Sequence, residues 1–105
     1  MRTIFLIAAF LFFPQQVSQL QVALTVHGVV LNWGASSSAG VTSYNVYRGS
    51  QSGGPYALAG NVGALTYRDG CGAAGTTCYY TVTALDAAGD ESGYSNEVSA
   101  TIPSQ

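Results

Sequence analysis

Cys78-Tyr79-Tyr80-Thr81-Val82-Thr83-Ala84-Leu85-Asp86 is the longest clean β pattern in the chain. Tyrosine, threonine and valine favour a pleated strand, and successive side chains on a strand point to opposite faces. Tyr80, Val82 and Ala84 therefore form an inward set, and Tyr79, Thr81 and Thr83 an outward set. A cysteine heads the strand, and the other cysteine, Cys71, precedes it in a loop of glycine, alanine and threonine.

The neighbouring segments follow the same period. Residues 43–48 place Tyr44 and Val46 inward and Asn45 and Tyr47 outward. Residues 29–33 place Val29, Leu31 and Trp33 on one face. Weaker strands are predicted at 21–26 and 56–59. A further strand at 65–68 has Leu65 and Tyr67 inward, and the last, at 96–102, has Val98, Ala100 and Ile102 inward and is ended by Pro103. Turn-forming residues separate them: His27-Gly28, the stretch from Gly34 to Gly40, Gly49 to Pro55, and the polar connection around Gly89 and Gly93. Seven short strands at this spacing, with no helical period after residue 20, predict an antiparallel β-sandwich.

The N-terminus reads differently. Arg2 precedes ten unbroken apolar residues, 4–13, and Pro14 and a polar stretch follow. This is the layout of a secretory signal peptide, too short for a bilayer span of about 20 residues. Residues 1–18 are assigned to it, with a retained amphiphilic N-terminus as the alternative, and residues 21–103 to one domain. Beyond the signal, Arg48 and Arg68 stand against Asp69, Asp86, Asp90, Glu91 and Glu97, so two minus five leaves a net charge of −3, and the chain has no lysine. Such a chain has no basic footprint for nucleic acid or for a membrane once the signal is removed. The expected location is secreted or at the cell surface.

Several segments together resemble a fibronectin type III domain of the bacterial secreted kind. They are Val29-x-Leu31-x-Trp33, Tyr44-Asn45-Val46-Tyr47-Arg48, Gly53-Gly54-Pro55-Tyr56, Thr66-Tyr67-Arg68-Asp69, Tyr80-x-Val82-x-Ala84-x-Asp86 and Tyr94-Ser95-Asn96-Glu97-Val98. The resemblance covers about 21–103. It implies an all-β, seven-stranded immunoglobulin-like sandwich. One sheet would hold 21–26, 29–33 and 65–68, and the other 56–59, 43–48, 78–86 and 96–102, around a core centred on Trp33. It also implies that Cys78 occupies the position where the family carries a tyrosine that locks the preceding connection. A Cys71–Cys78 disulfide in place of that lock is the expectation, with two buried free thiols as the alternative. The fold itself hosts many roles and names none of them.

Chemistry is sparse. His27 is the lone histidine, and no Gly-x-Ser-x-Gly elbow accompanies it, so no enzyme and no cofactor are expected. Asp86, Asp90 and Glu91 are oxygen donors suited to calcium, but their spacing matches no calcium loop, and capping of the local turn is the plainer role. The candidate surface is aromatic: Tyr47 and Tyr79, with Asn45 and Thr81 beside them, on the outward face of the sheet. It would serve an extracellular protein or a glycan, against the plainer role of a cross-strand aromatic pair. Tyr56 and Tyr94 could extend it, although Tyr94 is expected at the sandwich end. Uncharged outer strands leave self-association open.

Overall fold

The computed structural model describes residues 14–25 and 28–104. The apolar run 4–13 of the signal assignment, together with Val26 and His27, lies outside them. Seven strands form: β1 (Gln21–Leu24), β2 (Val29–Asn32), β3 (Val41–Gly49), β4 (Tyr56–Val62), β5 (Thr66–Asp69), β6 (Thr77–Asp86) and β7 (Val98–Thr101). They build two antiparallel sheets, ordered β1-β2-β5 and β4-β3-β6-β7.

The inward residues of the two long strands form the centre. Tyr44 and Val46 of β3 stand beside Ala84 and Val82 of β6 in register. Together with Leu31, Val29 and Tyr80 they are buried. Trp33 follows β2 and meets Tyr44 edge-on, with ring centroids 5.8 Å apart. Its Nε1 is buried and has no hydrogen-bond partner among the described residues. Tyr67 packs on this core from β5, and its hydroxyl donates to the carbonyl of Ala59 at 3.0 Å. A Cβ on Gly60 would come within 2.5 Å of that hydroxyl. The bare backbone of Gly60 is what lets β4 pass over Tyr67.

Three sequence readings are corrected. Leu65 is 40% exposed, not inward. It precedes β5, and its carbonyl accepts from the Trp33 amide at 3.1 Å, so it lies outside the pleat that orients Tyr67. β4 runs three residues past Ala59, because Tyr44, Asn45 and Val46 of β3 continue to pair with it beyond a register shift at Val46/Tyr47. Thr81 and Thr83 point outward as the period requires, yet each is only 2% exposed. Glu91, on the connection from β6 to β7, lies over Thr83 and accepts from its hydroxyl.

The residues just before β1 also take part in the packing. Residues 14–20, which precede the assigned span 21–103, pack against the sandwich. Val17 (2% exposed) and Leu20 (3%) are core residues. The Ser18 carbonyl accepts from Gly34 N–H at 3.2 Å. The Asn96 side chain accepts from Leu20 N–H at 3.0 Å and donates to the Leu20 carbonyl at 3.1 Å. Gln16 Nε2 donates to the Tyr94 carbonyl at 2.8 Å. This segment straps the bottom of β1 to the β6–β7 connection.

At the other end of the sandwich, Cys71 and Cys78 form a disulfide with Cα atoms 5.9 Å apart, within ordinary disulfide geometry. It ties the β5–β6 connection to the head of β6. Asp69, at the end of β5, adds polar links. It accepts from Arg48 Nη1 at 2.8 and 2.9 Å, from the Tyr80 hydroxyl at 2.6 Å and from the Cys71 amide at 3.0 Å.

Candidate functional site

The outward face of the four-stranded sheet is laid out by register. Tyr56 and Tyr79 both stand opposite Gly49, Leu58 and Thr81 flank Tyr47, and Asn61 and Thr83 flank Asn45. Gly49 has no side chain, and a Cβ there would lie 3.0 Å from the Tyr56 ring. The Tyr56 ring therefore lies across the glycine toward the β6–β7 connection.

That connection supplies the centre of the site. Ser92 and Ser95 hold it to β6: Ser92 Oγ accepts from Ala84 N–H at 2.8 Å, and Ser95 Oγ accepts from Val82 N–H at 2.9 Å. Backbone bonds run the other way, from Ser92 N–H to the Ala84 carbonyl and from Ser95 N–H to the Val82 carbonyl. Between these anchors, Tyr94 is 47% exposed. Its ring meets Tyr47 at a centroid distance of 5.4 Å and 79°, and Tyr56 at 5.2 Å and 73°. Both are edge-to-face contacts of the favoured kind.

Two carboxylates fix the outer rings. Glu91 Oε2 accepts from the Tyr47 hydroxyl, from Asn45 Nδ2 at 3.2 Å and from Thr83 Oγ1. Glu97 accepts from the Tyr56 hydroxyl, from Ser52 Oγ at 2.7 Å and from Gly53 N–H at 2.7 Å. Burial and then the Glu91 carboxylate push the Tyr47 phenol up to about 12. The bond to Glu97, followed by burial, pushes Tyr56 up to about 12. Burial opposes the charge on Glu91, but its three donors outweigh it and hold the carboxyl below its usual range. Glu97 is lowered by Tyr56, Gly53 N–H and Ser52.

A hollow of about 260 Å³ opens beside the cluster, lined by Tyr47, Thr83, Glu91, Ser92, Gly93 and Tyr94. A larger hollow of about 410 Å³ lies over the disulfide end. Its charged group, Arg48, is already bound to Asp69, and it contains neither Tyr47 nor Tyr94. The tyrosine hollow is the better site: it joins an exposed ring to a carboxylate.

The four residues proposed from sequence separate here. Tyr47 and Asn45 meet on Glu91. Thr81 lies buried beneath the face, and its hydroxyl has no partner among the described residues. Tyr79 is half-buried opposite Gly49, and Tyr47 stacks with Tyr94 rather than with it. Tyr94 is not confined to the sandwich end. The sequence reading missed Glu91 and Glu97 as the groups that orient the rings. Asp86, in contrast, serves its turn: Oδ1 accepts from the amides of Ala88 and Asp90 at 3.0 and 2.9 Å.

Comparison with known proteins fits this architecture. An Fn3-like protein from Clostridium thermocellum superposes with a TM-score of 0.76 and 33% identity, over 88% of this chain and 96% of that one. The chain belongs to the fibronectin type III family. As a fibronectin type III domain it is also 40% identical over 88 residues to an amylopullulanase of Thermoanaerobacter thermohydrosulfuricus. It is 39% identical over 83 residues to chitinase A1 of Niallia circulans. It spans 6% and 11% of those two proteins. No family model matches the chain.

Proposed function

We propose that this domain is a secreted, non-catalytic module that contacts glycan through Tyr94, flanked by Tyr47 and Tyr56. The observation that carries the reading is the half-exposed Tyr94 ring, held upright by two perpendicular tyrosines beside a hollow with a carboxylate in its wall. An aromatic ring supplies apolar area to the C–H face of a sugar, and a fixed polar group beside it orients the hydroxyls. The setting of its relatives supports the same reading, since they are segments of proteins named amylopullulanase and chitinase.

A protein partner is the second reading. The outer strand β4 runs Tyr56-Ala57-Leu58-Ala59-Gly60-Asn61-Val62 without a charge, and Leu58 is exposed. Such an edge accepts an added strand. Affinity electrophoresis through gels containing soluble starch or glycol chitin tests the first reading. Retardation of the wild type that is lost in Tyr94→Ala supports it. Retardation unchanged in Tyr94→Ala, or none in any gel, rejects it.

A further inference from the structure

The hydrogen-bond polarity of the tyrosine hollow restricts what it can hold. Glu91 Oε2 is saturated by Tyr47, Asn45 and Thr83, whereas Oε1 accepts from no group among the described residues. The hydroxyl protons in the wall are engaged. Those of Tyr47 and Thr83 point to Glu91, and that of Ser92 points to the Gly93 carbonyl at 2.9 Å. Ser92 Oγ in turn accepts from Ala84 N–H. Among the described residues, the Tyr94 hydroxyl is the one in this wall whose proton has no acceptor. The wall therefore offers acceptors and a negative charge, and almost no side-chain donors.

Charge points the same way. The arginines among the described residues are Arg48 and Arg68, and neither lines the hollow. Arg48 is held by Asp69. An anionic ligand would meet Glu91 without a compensating cation, and its oxygens would find few protons. A donor-bearing ligand would complete Glu91 Oε1 with a charge-assisted bond.

We infer that the hollow selects glycans that donate hydrogen bonds, neutral or amino-substituted, and rejects uronate or sulfated ones. This deepens the glycan reading and rests on it. A protonated amino group adds attraction to both the carboxylate and the tyrosine faces, so amino-sugar polymers, at a pH where the amine is charged, rank first.

The test measures binding of the folded domain to chitosan oligosaccharides, malto-oligosaccharides and oligogalacturonate of equal length, at low and moderate salt. The expected order is chitosan, then malto-oligosaccharide, with no binding of oligogalacturonate. The chitosan advantage should shrink at higher salt. Glu91→Gln should weaken chitosan by about tenfold, as expected for one charge-assisted bond, and change malto-oligosaccharide less. Binding that depends on Tyr94 but accepts oligogalacturonate as well as malto-oligosaccharide overturns the donor rule and leaves the site in place. Binding indifferent to Tyr94→Ala, or shared equally by an oligolysine peptide, overturns the glycan site itself.

Discussion

The Tyr80 hydroxyl, buried within β6, donates to Oδ2 of Asp69 at 2.6 Å. One sheet thereby reaches the last residue of a strand in the other. Burial opposes the charge on Asp69, yet Tyr80, Arg48 and the Cys71 amide together hold its carboxyl below the usual range. Tyr80→Phe keeps the ring and removes the donor. A bond to a charged group contributes about 1.5–3 kcal/mol, so urea unfolding should show a loss of that order. A loss near zero would mean that Arg48 and the Cys71 amide hold Asp69 without help.

The same carboxylate sets an acid dependence. Its folded-state pKa lies below the unfolded value, so its contribution is full above the ordinary carboxylate range and fades as pH falls through it. Thermal melts should show the wild type losing stability on acidification more steeply than Asp69→Asn. Parallel curves would count against it.

The disulfide closes an eight-residue loop, from a sequence separation of 7. The chain-entropy model gives about 2.5 kcal/mol for that closure, or roughly 10–20 °C in a domain of this size. Cys71→Ala with Cys78→Ala should melt lower by that amount. Cys78 is buried, so a cavity left there would add to the drop, and a drop well below that range would mean that loop closure contributes less than the model gives.

The strap predicts where the folded domain begins. A chain starting at Gln19 loses Val17 from the core, together with the bonds of Gln16 and Ser18. It should be less stable than one starting at Pro14. Leu20→Ala in the longer chain should cost about 2–5 kcal/mol. Equal melting temperatures for the two starting points would mean that residues 14–18 add nothing to the stability of the fold.

Tyr47 and Tyr56 should titrate late. Both are raised to about 12. The stability they lend is complete below 10, the ordinary phenol value, and is lost as pH rises toward 12. In an absorbance titration of tyrosinate, Tyr47→Phe should remove a late component. Removal of an ordinary component would mean that the bond to Glu91 is weak in solution.

Much of the sandwich is legible in the sequence because period-two burial writes it directly. Leu31, Tyr44, Val46, Tyr80, Val82 and Ala84 face inward as their alternation requires, and both sheets contain the strands expected of them. Leu65 shows where that rule ends, since parity orients a side chain only inside a strand. The site was less legible. Its central ring and both its carboxylates come from loop residues and from residues far apart in sequence: Tyr94 with Tyr56, Glu91 with Tyr47, Glu97 with Gly53. Alternation says nothing about how a connection folds back over a sheet. Pro14–Leu20 were hidden for another reason. The apolar run before them sets a strong local pattern, and their own apolar residues, Val17 and Leu20, acquire meaning only against a core assembled later.

The pairing of Leu20 with Asn96 spans 76 residues, which bears on the order of events during synthesis. The backbone of one of the first buried residues of the domain is satisfied by a side chain from near the domain's far end. Closure of such a distant pair is slow compared with local pairing. A ribosome-bound chain stopped short of residue 96 lacks the side chain that closes this pair, so the strap is completed only when nearly the whole domain has been made.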